Sequence, residues 1–185
     1  MKRKVAGIVM DLVGLFGVSL SWAKAPMRGP LPEEQRKIVH QLAEHHKELV
    51  RKVTMTEKGY TATTTTKNKE LAAMLQKHVA YMKKRLDSGA MVRRWDPAYA
   101  EMVAHYDDLE ATIEVIDGGV KATINGKTPR AVKIAQNHAK IVTSFTKKGT
   151  EELHKEHAAT SDDAGKKDRG KGGERDSPAS VGGSG

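Results

Sequence analysis

The chain has 185 residues, a formal net charge of +9 and no cysteine, which excludes disulfides, thiolate metal sites, covalent c-type haem attachment and thiol nucleophiles. Its length suits one domain of ordinary size plus extensions. Basic residues are scattered, and with only four tyrosines and two phenylalanines and no nucleic-acid motif, specific nucleic-acid binding is not expected.

Taken in chain order, Met1-Lys2-Arg3-Lys4 is a positive cluster, followed by an apolar run from Val5 to Leu20 and then Ser21-Trp22-Ala23. This is the pattern of an export signal, so residues 1–23 are predicted as a signal peptide and the mature chain as periplasmic or secreted from Lys24. The apolar run contains Asp11 and is short for a membrane span, so no stable membrane insertion is expected after cleavage. Without the signal the balance is 29 basic against 22 acidic residues, or +7. That charge suits loose association with anionic envelope polymers; no partner protein is indicated.

Residues 24–30 read as a short linker. From there a first helix is predicted from Pro32 through Ile38 and Leu42 to His45. Two strands should follow, with Val53, Met55, Tyr60 and Ala62 inward and Thr63–Thr66 as a β-branched end. Asn68 then caps a longer helix with the apolar stripe Leu71, Met74, Leu75, His78 and Met82, ended by Gly89. The second unit begins with Asp96 as cap and Pro97 as first helical residue. Leu109, Ala111, Ile113 and Val115 alternate with polar residues, Asp117-Gly118-Gly119 turns the chain, and Val120, Ala122 and Ile124 alternate on the return. Thr128 and Pro129 start a last helix with the stripe Ala131, Ile134, Ala135, His138, Val142 and Phe145, ended by Gly149. Residues 158–185 carry one large aliphatic residue, Val181, too little apolar surface to offset ordering entropy, and are predicted as a disordered tail.

The two units are copies. Writing residues 45–89 over residues 105–149 without a gap gives nine identities in 45: His45/His105, Leu49/Leu109, Gly59/Gly119, Ala62/Ala122, Thr63/Thr123, Lys67/Lys127, Gln76/Gln136, His78/His138 and Gly89/Gly149. Unrelated chains would share about three. Repeat one is therefore residues 31–92 and repeat two residues 93–157 of a single domain. The fold expected is α+β: two αββα repeats forming one four-stranded antiparallel sheet, helices on one face, the halves related by a pseudo-two-fold axis.

Gln-x-His occurs at the same place in both closing helices, and the spacing puts His78 and His138 on the apolar stripe. One reading makes them neutral core residues in a structural or protein-interaction module. The other places a metal or haem iron between the repeats, since neutral imidazole is a common ligand for zinc, copper and haem iron. His45 and His105, ending the leading helices, are the next candidates, and Met82 follows His78 by one turn. Arg93 and Arg94, beside Trp95, could pair haem propionates. His154 and His157 form His-x-x-His, which on a continuing helix would hold a divalent ion weakly. No hydrolase, P-loop or dinucleotide fingerprint is present, so catalysis would need a bound cofactor.

Arg-Arg-Trp-Asp-Pro (93–97), Gly-Gly-Val (118–120), Gln-x-His-Ala (136–139) and Phe145 before Gly149 together resemble a group of small exported bacterial two-repeat proteins of unassigned function. The resemblance covers most of residues 31–157 and implies export and the duplicated architecture, with no activity or ligand attached.

Overall fold

A computed structural model describes residues 29–160. The order of elements is α1 (Glu33–Glu44), β1 (Val50–Thr56), β2 (Gly59–Thr65), α2 (Lys69–Asp87), α3 (Pro97–Ala104), β3 (Leu109–Ile116), β4 (Gly119–Gly126) and α4 (Pro129–Lys148), with single 3-10 turns before β1, before β3 and after α4. The α+β class holds, with one antiparallel sheet ordered β1-β2-β4-β3. The signal-peptide reading falls on residues 1–23, outside the described residues.

The helix ends follow from local chemistry. Asn68 Oδ1 accepts from the Glu70 and Leu71 amides, Asp96 Oδ1 from Ala98, and Thr128 Oγ1 from Ala131, so three of four helices start on a side-chain cap. Pro97 and Pro129 occupy first-turn positions where no amide donor is needed. At the far ends Gly89 and Gly149 take positive φ, 72° and 59°, which closes a helix at low cost only without a Cβ.

The strand registers repeat the sequence offset. Val53 pairs Ala62 in the first hairpin and Ile113 pairs Ala122 in the second, each number raised by 60. The seam between hairpins pairs Ala62 with Ala122, again 60 apart. Tyr60, Ala62 and Thr64 on β2 and Val120 on β4 are buried beneath the helices. The opposite face is open and carries a threonine row: Thr54 faces Thr61, Thr61 faces Thr123, and Thr123 faces Thr112.

The helices do not cover the sheet evenly. The α4 helix crosses its middle and touches all four strands, whereas α2 packs on β4, β3 and α1. Two clusters result. The larger gathers Tyr60, Tyr99, Met102, Leu109, Ile134 and Ala139 around α3 and α4; the smaller joins Ile38 and Leu42 of α1 to Leu71, Leu75 and Val120. This geometry revises three inward positions. Met55 and Val115, expected inside, are 44% and 69% exposed because the hairpin ends project past the helices. On α4 the most deeply buried residues include Ala139 and Ile141 instead of Val142, since the helix meets α3 as well as the sheet.

The last described segment also departs from expectation. The 3-10 turn Gly149–Glu152 ends the helical path, so His154 and His157 share no helix face. Ala158 and Thr160, assigned to the disordered tail, are tied down by Asn137 and Glu101.

Candidate functional site

His78 and His138 occupy matching positions but different surroundings. His138 sits against two tyrosines, its ring centroid 6.5 Å from Tyr60 and 5.8 Å from Tyr99, edge-on to the latter. Arg51 lies close by, its Nη1 donating to Thr64 Oγ1 at 2.8 Å and its Nε to Thr143 Oγ1 at 3.4 Å. Burial pushes the Tyr60 phenol up to about 12 and lowers the Arg51 guanidinium. The positions sixty residues away from Tyr60, Tyr99 and Arg51 in the other repeat hold Val120, Val39 and Ala111, so His78 lacks these polar neighbours. Its Nδ1 is buried without a hydrogen-bond partner.

Burial holds both imidazoles well below the usual histidine value, at about 4, with the Arg51 charge adding to the effect at His138. An unfolded histidine takes up a proton near 6.5, and these two do so only near 4. Between those values the unfolded chain binds more protons, so stability falls as pH drops from 6.5 to 4, by up to about 3 kcal/mol per histidine. Urea midpoints measured from pH 7 to 4.5 test this: His78→Leu with His138→Leu should flatten the slope, and an unchanged slope would rule out these groups as its source. At pH 7, His78→Leu alone should raise stability by about 1 kcal/mol, because it removes a buried polar atom that nothing satisfies.

The glutamines have a plain structural use that periodicity did not show. Gln76 Nε2 donates to the Ile116 and Gly119 carbonyls of the β3–β4 hairpin, at 3.3 and 3.1 Å. Gln136 Nε2 donates to the Thr56 carbonyl of the β1–β2 hairpin at 2.9 Å. Thr56 and Ile116 are 60 positions apart, so each repeat's helix ties down the other repeat's hairpin.

The remaining histidines are dispersed. His45 Nδ1 meets Glu48 Oε1 at 2.7 Å and His105 Nδ1 meets Asp108 Oδ2 at 3.8 Å, each with its own carboxylate three residues on. His154 is exposed. His157 is turned inward, its Nδ1 2.7 Å from Asp96 Oδ2 and its Nε2 3.1 Å from Glu152 Oε1. Both ring nitrogens therefore face carboxylates and neither is open to a metal. Met82 packs partly buried against the larger cluster. Among the described residues, no three His, Cys, Asp or Glu side chains converge in an arrangement that would hold a metal ion.

The arginines lead elsewhere. The connector between repeats wraps around Arg85 of α2, which is buried and donates to the carbonyls of Gly29 and Met91. It thereby shapes a cleft of about 770 Å³ lined by Gly29, Met91, Arg93, Arg94 and Trp95 among others. Trp95 and Met91 are 47% and 37% exposed. The Arg93 guanidinium stacks 4.2 Å from the Trp95 ring centroid. Arg94 is exposed and has no polar partner among the described residues. Among the described residues, three arginines and no carboxylate line this space. No histidine lines it either, so Arg93 and Arg94 are not brought into one site with His78 and His138.

Compared with family models, curated proteins and solved structures, the chain matches none. The site must be read from its own chemistry.

Proposed function

We propose that this is an exported, non-enzymatic binding module of the cell envelope, and that its ligand is an anionic molecule with an apolar or ring face, such as an acidic glycan. The observation that carries the reading is the cleft beside Trp95. An exposed indole and a thioether offer a stacking surface, and among the described residues the Arg94 guanidinium beside them has no polar partner and the lining holds no negative charge. Arg94 can meet a carboxylate or sulfate bidentately, while Trp95 supplies contact area at little entropic cost. The net positive charge of the chain favours approach to an acidic polymer. Among the described residues no helix is long and apolar enough to cross a membrane.

The test is titration of the full chain with heparin and with neutral dextran of similar length, followed by Trp fluorescence. Heparin should bind with a salt-dependent affinity and dextran should not. Trp95→Ala should weaken heparin binding roughly 30-fold, as expected of a central aromatic anchor, and Arg94→Ala should weaken it and flatten the salt dependence. Heparin binding that both variants retain would place the polyanion elsewhere on the basic surface and remove the cleft from the reading.

A second reading, a metal at His78, has one observation in its favour: the buried Nδ1 without a partner, one turn before Met82. Thermal unfolding with and without added Cu²⁺ or Zn²⁺ decides it, since a metal that binds only the folded chain raises the midpoint. No shift in the wild type would leave the histidine as core.

A further inference from the structure

We propose that residues 153–160 form a strap that docks and undocks as a unit, and that Arg93 makes the shape of the Trp95 cleft depend on whether the strap is docked. The consequence for ligands rests on the cleft reading above; the coupling itself does not.

The strap has no regular structure and is held by polar clamps. Arg93 Nη1 and Nη2 donate to the carbonyls of Leu153 and Lys155 at 2.9 and 2.8 Å. The Ala98 amide donates to the His157 carbonyl at 3.0 Å, and the His157 amide to Asp96 Oδ1 at 3.3 Å. Asn137 Nδ2 holds the Ala158 carbonyl at 3.0 Å. Thr160 closes the segment, its amide and hydroxyl both donating to Glu101, at 2.7 and 2.8 Å. Leu153 is its one large buried aliphatic side chain. The His157 ring adds the strongest hold, its nitrogens on Asp96 and Glu152 and its face 5.8 Å from the Phe145 ring. The rest is hydrogen bonds with little apolar burial, and such a segment opens locally, below the free energy of global unfolding.

Arg93 belongs to both structures. Its fork is spent on the strap and on Asp96, with Nε 3.3 Å from Oδ2, while its flat face lies under Trp95 and within 5.4 Å of Tyr99 and 5.2 Å of Phe145. Its backbone has φ +46°, the single non-glycine positive φ among the described residues. A side-chain-bearing residue keeps that conformation only where its surroundings enforce it, and here the strap carbonyls supply two of the guanidinium's three polar anchors. With the strap released, the backbone at Arg93 relaxes and the indole loses its cation. A ligand that stacks on Trp95 over Arg93 thus binds the docked form and, reciprocally, tightens docking.

The experiment uses the full chain carrying Trp22→Phe, which leaves Trp95 as the sole tryptophan, and needs no ligand. Hydrogen exchange is followed at the His157 and Thr160 amides, which only the docked strap protects, and acrylamide quenching at Trp95, with and without Glu101→Gln. Glu101 touches neither Trp95 nor Arg93 in any contact described above, so a merely local effect stops at Thr160. The expected result is that both amides exchange faster than those of Tyr60 to Thr64, that Glu101→Gln speeds both at least tenfold, and that quenching of Trp95 rises with them. Acceleration confined to Thr160 would show that the strap is no unit. Faster strap exchange with unchanged Trp95 quenching would remove the coupling through Arg93. Exchange of the strap at the rate of the central strands would make it part of the core. If Glu101→Gln fails to fold, Asn137→Ala, which removes only the hold on Ala158, is read the same way.

Discussion

Replacing Asp96 by alanine should lower the unfolding free energy by about 3–5 kcal/mol, the largest loss expected from any single side chain here. Asp96 has no solvent exposure. It caps α3 through Ala98, accepts the His157 amide, and faces both His157 Nδ1 and Arg93 Nε. Alanine therefore deletes a helix cap, worth about 1 kcal/mol, and leaves a guanidinium and an imidazole without their carboxylate in a water-poor space. Asp96→Asn keeps the shape and the capping oxygen while removing the charge, so it should fall between wild type and alanine. Asp117→Ala, in the exposed hairpin turn, should stay within about 0.5 kcal/mol of wild type. Urea denaturation of the four proteins checks the ranking. A loss below 1 kcal/mol for Asp96→Ala would mean that the network contributes nothing measurable to the folded state.

The second large effect belongs to glycine. A Cβ built on Gly119 would lie 2.0 Å from the Thr64 carbonyl oxygen, and one on Gly59 would lie 2.0 Å from that of Ile124. The atoms they would strike are backbone atoms across the central seam, which cannot give way without breaking the β2–β4 ladder. Either Gly→Ala change should cost about 3 kcal/mol or more, at the upper end of overpacking effects. Gly89→Ala is the control: its φ of 72° disfavours a side chain, but nothing stands within 4 Å of the new Cβ, so about 1 kcal/mol is expected. Equal losses at Gly89 and Gly119, measured by chemical denaturation, would show that the seam absorbs the clash.

The fold was legible because its signals are local. Caps at Asn68, Asp96 and Thr128, prolines at first helical turns and the Asp117-Gly118-Gly119 turn each act within a few residues, and each stands where periodicity placed it. The duplicated glycines carry the same information at longer range, since Gly59 and Gly119 recur where two backbones approach closely. What the sequence hid is contact between distant segments through side-chain amides and carboxylates. Nothing in the composition of residues 153–160 says that Asp96, Glu101 and Asn137 will hold them. Gln76 and Gln136 read as polar punctuation until the opposite hairpin is in view. The histidine stripe was placed correctly on its helices, but periodicity cannot tell that one copy meets Arg51 and two tyrosines while the other meets no such group. The cleft was half legible: the Arg-Arg-Trp connector stood out by composition, and its partner Arg85 looked like one more charge on a helix.

The strand order has a consequence for how the chain acquires its structure. Each hairpin joins strands adjacent in sequence, with Thr56 opposite Gly59 and Ile116 opposite Gly119, so both close over short loops. Among the described residues the single distant strand pairing is the seam, Gly59 to Thr65 against Gly119 to Asn125, and it brings together residues some sixty positions apart. Loop-closure entropy has to be overcome there before the seam's hydrogen bonds repay it. The two glutamine ties also cross from one repeat to the other and form only when the hairpins meet. Association of two preformed hairpins is thus the natural rate-limiting event, and a substitution at Gly119 should slow refolding more than it speeds unfolding.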